Sequence, residues 1–533
     1  MGSLGSFSSV VLLTLGVLLV SFFVNPACSA SRRALRLRDH QTMQNGFKVT
    51  LKHIDSDKNL TKIERFQRRI SRGRKRLQRL NAMVLAASPS DQDSGVTSPV
   101  HAGQGEFLMK LSIGNPADTF NAIMDTGSDL IWTQCKPCED CYDQPTPIFD
   151  PTKSSTFSKL SCESELCEAL PSQTCTNSSC EYYYAYGDSS STNGILATET
   201  FTFGDVSVPK IGFGCGKDNE GGGFEQGSGL VGLGRGPLSL VSQLKEPKFS
   251  YCLTSIDDTE GSSTLLMGSL ASLNNAKSGP ANIITTPLIK NPNRDQSTFY
   301  YLTLEGITVG ETRLHLKKDT FTLGDDGSGG LIIDSGTTLT YIEEDAFDAL
   351  KKEFTSQIKL SEADATDTVG LDACYKLPKD VNSGKVEVPK LVFNFKGADL
   401  ELPGENYILV DTDVGVLCLA MGSASSMSVF GNFQQQNMLV YHDLAEETLS
   451  FVPTKCHFVV KKTKQFKQRN KRVTMRHHSV DHGIEYHLIL EAYNASDRTL
   501  PDPRFTTAGY DALIRHKPPQ HFRKLNSFVF KEN

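Results

Sequence analysis

Two short stretches decide the fold of this chain: Ile123-Met124-Asp125-Thr126-Gly127-Ser128 and Ile332-Ile333-Asp334-Ser335-Gly336-Thr337. In each, an apolar run leads into a carboxylate, a hydroxyl, a glycine and a second hydroxyl. One such motif carries little information. A second copy 209 residues later in a chain of 533 residues indicates an internal duplication.

The repeat extends beyond the two aspartates. Leu230-Val231-Gly232 follows the first motif and Val429-Phe430-Gly431 follows the second, each after a long stretch of short, alternating apolar runs separated by turn residues. The alternation begins at Phe107, Met109, Leu111 and Ile113, and the best helical candidates are Leu60–Val84, Val241–Lys245 and Glu344–Phe354. This pattern predicts a mainly β protein with two similar lobes.

The N-terminus and the cysteines indicate export. Residues 1–30 contain no charge and hold a fifteen-residue apolar run from Val10 to Val24, too short for a membrane span and typical of a secretory signal peptide. Twelve cysteines remain after residue 30, which predicts six disulfides in an oxidising compartment. Cys135, Cys138 and Cys141 also have zinc-ligand spacing, so a metal site is the alternative there.

Charge divides the chain into segments. Residues 31–80 carry a net charge of +12 and residues 457–533 a net charge of +8, which leaves −26 for residues 81–456. The helix predicted from Leu60 is basic and amphipathic. It is either a solvated helix or a propeptide that covers the acidic body and is later removed. This charge distribution argues against nucleic acid as a partner.

The chemistry of the repeated motif follows from its residues. A Ser-His-Asp or Cys-His site is improbable, because the body holds only His101, His315 and His442. If the lobes meet face to face, Asp125 and Asp334 lie together, share one proton and act as a coupled pair. The ionised carboxylate can then activate water while the protonated one donates to a peptide carbonyl, without a metal or a cofactor.

With these motifs the chain resembles pepsin-like aspartic proteases, and in particular the plant nepenthesin-like branch, over about residues 105–456. The resemblance implies a bilobal β fold with one catalytic aspartate per lobe, Asp125 and Asp334, supported by Gly127, Ser128, Gly336 and Thr337. It also implies that Tyr186, before Gly187-Asp188-Ser189, belongs to a flap hairpin, and that Trp132 hydrogen-bonds this tyrosine. Without the resemblance, Tyr186 is an ordinary strand aromatic and Trp132 an ordinary core residue.

The resemblance further implies a disulfide pairing that the sequence by itself leaves open. The implied pairs are Cys135 with Cys138, Cys141 with Cys215, Cys162 with Cys180, Cys167 with Cys175, Cys252 with Cys456, and Cys374 with Cys418.

The resulting organisation has six segments: a signal peptide (1–30), a basic inhibitory prosegment (31–95), an N-terminal lobe (96–275), a C-terminal lobe (276–456), a basic linker (457–475) and a tail (476–533). The tail resembles the second half of a plant cystatin, with strands expected at Gly483–Ala492 and Tyr510–Arg515. Its inhibitory hairpin reads Ser479-Val480-Asp481-His482-Gly483 and its second loop Pro518-Pro519. Both depart from the cystatin pattern, and we expect poor or absent inhibition.

The sequence thus predicts a secreted, monomeric acid endopeptidase made as a zymogen, acting on peptide or protein substrates, without a membrane anchor. We expect the apoplast as its location, with the vacuole as the alternative. Asn59, Asn177 and Asn494 lie in glycosylation sequons. The rival hypothesis is a catalytically silent binding protein on the same scaffold, such as the xylanase-inhibitor relatives of this branch. Those proteins have lost catalytic motif residues, whereas both motifs are intact here.

Overall fold

The structure is a computed structural model. It describes residues 46–56, 58–86, 107–186, 190–220, 224, 227–255, 257–258, 261–273, 283–292, 298–378, 386–456, 471–480, 483–492, 510–515 and 529–532. The predicted signal peptide lies outside the described residues. β-Strands are the main regular structure of the described residues and are arranged in two lobes, as the sequence predicts.

The first half of the chain contributes one strand that precedes the protease region and eleven strands of the first lobe. They are β1 (Lys48–His53), β2 (Phe107–Ile113), β3 (Asp118–Asp125), β4 (Trp132–Gln134), β5 (Ser158–Lys159), β6 (Gln173–Thr176), β7 (Ser179–Ala185), β8 (Ser191–Phe203), β9 (Val206–Glu220), β10 (Gly229–Gly232), β11 (Lys248–Cys252) and β12 (Ser263–Met267).

The second lobe follows with sixteen strands. They are β13 (Ile284–Ile289), β14 (Tyr300–Leu302), β15 (Leu304–Val309), β16 (Thr312–Arg313), β17 (Leu331–Ile333), β18 (Thr340–Glu343), β19 (Glu362–Ala363), β20 (Cys374–Lys376), β21 (Leu391–Phe395), β22 (Ala398–Leu402), β23 (Ile408–Asp411), β24 (Val416–Leu419), β25 (Met421–Ala424), β26 (Ser428–Phe430), β27 (Met438–Asp443) and β28 (Thr448–Pro453).

The described part contains five α-helices, only two of them longer than five residues. They are α1 (Lys62–Ala86), α2 (Glu165–Glu168), α3 (Leu240–Leu244), α4 (Glu344–Gln357) and α5 (Thr366–Val369). The three helices predicted from the sequence correspond to α1, α3 and α4. Short 3₁₀ turns occur at Pro151–Lys153, Gly268–Leu270 and Gly404–Asn406.

The predicted duplication is present in the sheet pairing. In the first lobe β10 lies parallel to β3, with Gly232 opposite Asp125, and in the second lobe β26 lies parallel to β17, with Phe430 opposite Ile333. A Cβ at Gly232 or Gly431 would lie 2.2 Å from a main-chain oxygen of the neighbouring loop. Each apolar pair therefore ends in glycine because the backbone passes too close for any side chain.

A continuous sheet joins the lobes and also takes in β1. Strand β11 of the first lobe pairs antiparallel with β27 of the second, and β1 lies between β12 and β2. The apolar side chains of Phe47, Val49 and Leu51 are buried in the core shared by both lobes. The segment before the protease region is thus built into the sheet.

Helix α1 has the predicted amphipathic character. Phe66, Ile70, Leu77 and Leu80 are buried against the second lobe, with the Phe66 ring 5.8 Å from that of Phe433. The helix begins at a reciprocal cap, because the amide of Thr61 donates to Glu64 and the amide of Glu64 donates to Thr61 Oγ1. The apolar face of α1 therefore packs against the second lobe, and the alternative of a helix surrounded by solvent is wrong for this face.

The described cysteines form six disulfides, and four of the six implied pairings are wrong. The pairs are Cys135–Cys215, Cys138–Cys141, Cys162–Cys175, Cys167–Cys180, Cys252–Cys456 and Cys374–Cys418. Only the last two match the expectation. The zinc alternative for Cys135, Cys138 and Cys141 is also wrong, because all three are disulfide-bonded.

Strand neighbours explain the corrected pairs. Strand β4 lies parallel to β9 with Thr133 opposite Cys215, so Cys135 reaches Cys215, and this leaves Cys138 to bond Cys141 within the same loop. Among the four cysteines between residues 162 and 180, Cys167 and Cys180 are both buried and form a disulfide with each other. The more exposed Cys162 and Cys175 then form the outer bridge.

The tail forms a separate four-stranded antiparallel sheet of β29 (Lys471–Val480), β30 (Gly483–Ala492), β31 (Tyr510–Arg515) and β32 (Val529–Glu532). Strands β30 and β31 are those expected. Of the predicted linker (457–475), residues 457–470 lie outside the described residues and 471–475 belong to β29, which pairs with β30. The resemblance to cystatin stays a prediction. Within the described residues, no helix has the length and hydropathy to cross a membrane.

The interlobe sheet contains a buried histidine without a polar partner. The ring of His442 is fully buried, stacks on Phe249 at 4.2 Å and contacts Tyr300 and Tyr251. Neither of its nitrogens has a hydrogen-bond partner in the described part of the chain. Burial, and next the charge of Arg235, lowers the pKa of His442 to about 3.

Replacing this histidine should flatten the acid dependence of stability. Between the unfolded pKa of about 6.5 and the folded pKa of about 3, only the unfolded state binds the proton, so acid destabilises the fold by up to about 1.4 kcal/mol per pH unit. In His442→Phe, the free energy of unfolding by urea should fall less steeply by about this slope between pH 6 and 3.5. His315→Gln, at an exposed histidine, is the control. Equal slopes in wild type and His442→Phe would contradict the prediction.

Candidate active site

The first of the two repeated motifs forms a turn at the end of β3. Asp125 is fully buried, and its two carboxylate oxygens accept hydrogen bonds from Gly127 N at 2.9 Å and Ser128 Oγ at 2.6 Å. The amide of Leu233, which follows β10, donates to the Asp125 carbonyl at 2.7 Å. The turn is therefore fixed by its own donors and by the apolar-apolar-Gly element beside it.

The second motif repeats this geometry after β17. Asp334 is fully buried and accepts from Gly336 N at 3.1 Å and Thr337 Oγ1 at 2.6 Å. Gln435 donates to the main-chain carbonyls of Asp334 and Phe430, at 3.4 and 2.8 Å. Each carboxylate thus accepts one amide and one hydroxyl hydrogen bond from its own turn, as a lobe duplication requires.

The two turns touch across the lobe interface. Thr126 Oγ1 of the first turn lies 3.1 Å from the Asp334 carboxylate and 3.2 Å from Ser335 Oγ, and it accepts a bond from Ser335 N at 3.0 Å. All these groups are buried. The structure therefore brings the two predicted carboxylates into one site, with a threonine hydroxyl as the direct link between the lobes.

Trp132 and Tyr186 lie together in the first lobe. The indole Nε1 donates to the tyrosine hydroxyl at 2.8 Å, and both side chains are buried. The ring of Phe224 packs against both, at 4.8 Å from Trp132 and 5.3 Å from Tyr186. The predicted tryptophan–tyrosine hydrogen bond is present, while Gly187-Asp188-Ser189 lie outside the described residues.

A residue missed by the sequence analysis occupies the site. Arg76 of α1 is buried between the two carboxylates: its Nε and Nη2 bond Asp334, with Nη2 to Oδ1 at 2.7 Å, and Nη2 also bonds Asp125. A Cβ on Gly127 or Gly336 would lie 2.7 or 2.4 Å from the guanidinium. The glycine of each catalytic turn is what leaves room for this side chain.

The electrostatics favour a charged Arg76. Burial lowers the pKa of the guanidinium, but the charges of Asp125 and Asp334 more than offset this, and the pKa is raised. The sequence carried a signal for this residue. Gly73 and Arg76 interrupt the apolar face of α1 made by Phe66, Ile70, Leu77 and Leu80. An arginine placed there faces the protein and needs a buried anion.

Two buried carboxylates, one at the same turn of each duplicated lobe, define the class of protein: a pepsin-like aspartic protease. Residues 107–269 match the family described as Xylanase inhibitor N-terminal, and residues 299–453 match Xylanase inhibitor C-terminal.

Similar proteins show to which family within this class the chain belongs. The chain is 50% identical over 451 residues to aspartic proteinase nepenthesin-1 of Nepenthes gracilis, covering 84% of this chain and 99% of that protein. It is also 50% identical to nepenthesin-2 of the same plant, over 83% of this chain and 97% of that protein. The protein therefore belongs to the nepenthesin-like family of aspartic proteases and is an aspartic-type endopeptidase.

A solved structure agrees with the fold. The crystal structure titled edgp superposes with a TM-score of 0.54, at 20% sequence identity, over 67% of this chain and 92% of that chain. At this level of sequence identity, the similarity supports the bilobal fold alone.

Removing the threonine link between the lobes should reduce both stability and activity. Thr126→Val leaves a buried carboxylate oxygen and the Ser335 amide without this partner, at a cost of about 1–3 kcal/mol in the free energy of unfolding. Thr133→Val is the matched control, because Thr133 is equally buried and bonds Ser228 O within one lobe at 2.7 Å. Urea unfolding and peptide hydrolysis measure the two effects. Equal activity in the two variants would contradict a role for this link in the site.

Proposed function

We propose that this protein is a secreted acid endopeptidase, made as a zymogen, in which Asp125 and Asp334 share one proton and activate a water molecule. The observation that carries the proposal is the convergence of both carboxylates on one guanidinium, with Thr126 of the Asp125 turn bonded to Asp334. When the two carboxylates face each other without that cation, they do not both ionise readily. One then serves as a base towards water and the other as an acid towards the peptide carbonyl.

The roles of the surrounding residues follow from their contacts. Gly127, Ser128, Gly336 and Thr337 hold the carboxylate oxygens in place, and Trp132 holds the hydroxyl of Tyr186 in the proposed flap. A cavity between α1 and the second lobe is lined in part by Leu77, Leu339, Tyr341, Leu371 and Met421. When α1 leaves, this apolar surface becomes available to side chains of a peptide substrate.

Substituting one carboxylate tests the dyad. Asp125→Asn keeps the shape of the side chain but cannot accept a proton, so peptide hydrolysis at acid pH should fall by on the order of a thousandfold or more. Asp319→Asn, at an exposed position, should retain full activity. Pepstatin-sensitive cleavage of a denatured protein by wild type, and none by Asp125→Asn, is the expected result. Wild-type-like hydrolysis by Asp125→Asn would overturn the assignment, and an inactive wild type would favour the silent binding protein.

Arg76 gives the prosegment its proposed inhibitory action. It fills the space between the carboxylates where water and the scissile bond belong, and α1 lies across the surface that a peptide would use. Further contacts come from Gln67 and Arg74, which donate to the Thr368 and Gly370 carbonyls, and from Thr338, which donates to Arg69 O. Both ion pairs of Arg76 form with the charged carboxylates, and they hold α1 over the site.

Removing the Arg76 charge should release the site at higher pH. Breaking a buried ion pair by deleting one partner costs about 3–5 kcal/mol, here because two buried carboxylates lose their cation. The Arg76→Gln precursor should therefore trim its N-terminus and bind pepstatin at a pH above that of wild type. Lys75→Gln, which removes a partly exposed charge next to Arg76 on the same helix, is the control. N-terminal sequencing across a pH series measures this, and identical profiles for wild type and Arg76→Gln would contradict it.

Other parts of the proposal rest on sequence features. Asn59 and Asn177 are exposed, and Asn177 lies in the β6–β7 turn, so both are accessible for glycosylation. Asn494 lies outside the described residues. We expect export to the apoplast as a monomer, and poor inhibition of papain-like proteases by the tail, which titration of papain with the full chain measures.

A further inference from the structure

A second carboxylate of the first catalytic loop makes contacts that the hydrolytic chemistry does not use. Asp129 follows Asp125 by four residues and is partly buried. Its Oδ1 accepts from Gly236 N at 2.9 Å, and its Oδ2 accepts from the hydroxyl of Thr298. Gly236 belongs to the loop after β10, whereas Thr298 belongs to the second lobe, immediately before β14. One side chain therefore joins three segments.

The site is shaped around this carboxylate. A Cβ at Gly234 would lie 2.4 Å from Asp129 Oδ1, and a Cβ at Gly236 would lie 2.1 Å from Oδ2. A Cβ at Gly232 would lie 2.2 Å from the Asp129 carbonyl oxygen. Every second residue of Gly232-Leu233-Gly234-Arg235-Gly236 is thus a glycine because Asp129 occupies the space that a side chain would take.

The contacts lead from one catalytic aspartate to the other. Gly234 N donates to Ser128 O at 2.9 Å, beside the Asp125 turn, and Arg235 N donates to Thr298 O at 3.0 Å. Two residues after Thr298, Tyr300 of β14 lies opposite Ile333 of β17, the residue that precedes Asp334. A displacement of Thr298 relative to Asp129 therefore changes the position of one catalytic turn relative to the other.

We propose that Asp129 is a positioning residue for the dyad, whose carboxylate locks the first catalytic loop to Thr298 of the second lobe and, by its charge, sets the upper pH limit of activity. The proposal rests on the proposed function of Asp125 and Asp334. It adds a contact between the lobes to the one that Thr126 makes with Asp334.

The charged and titratable groups around Asp129 decide the pH effect. Burial raises the pKa of Asp129 to about 6; the bonds from Thr298 and Gly236 oppose the rise, and the charge of Asp125 adds to it. Tyr300 lies within electrostatic range, its hydroxyl donating to Leu233 O at 2.6 Å. Beyond Tyr300 lies Arg235, which is paired with Glu447, itself also paired with Lys290.

The sign of the effect follows from these neighbours. Below pH 6 the Asp129 carboxyl is protonated and adds no charge near Asp125. Above pH 6 it is ionised, and a second negative charge makes it harder for the dyad to lose its shared proton. Ionised Asp129 thus extends activity towards neutral pH. A side chain that is neutral at every pH gives no such extension.

The test compares Asp129→Asn, Asp129→Ala and Thr298→Val with wild type in the activated enzyme. In Asp129→Asn the alkaline limb of the kcat/KM profile should move down by about half a pH unit, because the charge near Asp125 is gone. In Asp129→Ala and Thr298→Val, kcat should fall on the order of tenfold with a much smaller change in KM, because the two turns are less well aligned. The control is Asp118→Asn, which changes an exposed carboxylate at the start of β3 and should match wild type.

A readout that does not need catalysis separates this proposal from the proposed function. Hydrogen–deuterium exchange of the full-length zymogen should be faster at residues 125–130 and 298–302 in Asp129→Ala and in Thr298→Val than in wild type. If wild type lacks acid proteolysis, the proposed function fails, and exchange still reports on the link. Unchanged exchange in both variants, or an unchanged alkaline limb in Asp129→Asn together with unchanged kcat in Thr298→Val, would overturn the positioning role.

Discussion

The structure depends on holding two carboxylates side by side inside a protein. Two buried negative charges repel each other, and each loses its hydration, so the arrangement is stable only when donors or a cation compensate. Here each carboxylate has an amide and a hydroxyl from its own turn, and the pair shares the guanidinium of Arg76. The glycines of the two turns leave room for the guanidinium, and those that end the apolar pairs leave room for the neighbouring backbone. With α1 in place, both carboxylates are paired with the same cation.

The two lobes repeat the same carboxylate geometry but have diverged in the residue four positions after the aspartate. In the first lobe this residue is Asp129, which bonds Thr298 across the interface. In the second lobe it is Thr338, whose hydroxyl donates to Arg69 O of α1. The duplicated site is therefore symmetric where the reaction needs two equivalent carboxylates. It is asymmetric at this position, where the first lobe contacts the second lobe and the second lobe contacts α1.

Much of this could be predicted from the sequence, because the informative motifs are local. The paired turns, the alternation of β2 and the spacing of α1 each predict structure within a few residues. The contacts that failed to be predicted connect distant segments. Four disulfide pairings were wrong because they depend on the parallel pairing of β4 with β9 and on which face of the β6–β7 hairpin is buried. Arg76 was missed because one arginine among sixteen basic residues at 31–80 is distinguished only by the face of the helix on which it lies.

Strand β1 and helix α1, the two described elements before residue 107, are held by different forces. Strand β1 is held by backbone pairing on both sides and by the buried side chains of Phe47, Val49 and Leu51, none of which titrates. Helix α1 depends on carboxylates at Arg76 and at Asp55, which pairs with Arg68 and Arg72.

The Asp55 ion pairs connect the strand end to the helix, and their pH dependence can be worked out. Burial raises the pKa of Asp55, but the charge of Arg72 and further groups outweigh it, so the folded-state pKa is lowered. A lowered carboxyl pKa contributes stability above the unfolded value of about 3.8, and that stability is lost as the pH falls through the folded value. Acid therefore weakens the ion pairs at Asp55 that join the strand end to the helix, whereas the backbone pairing of β1 involves no titratable group.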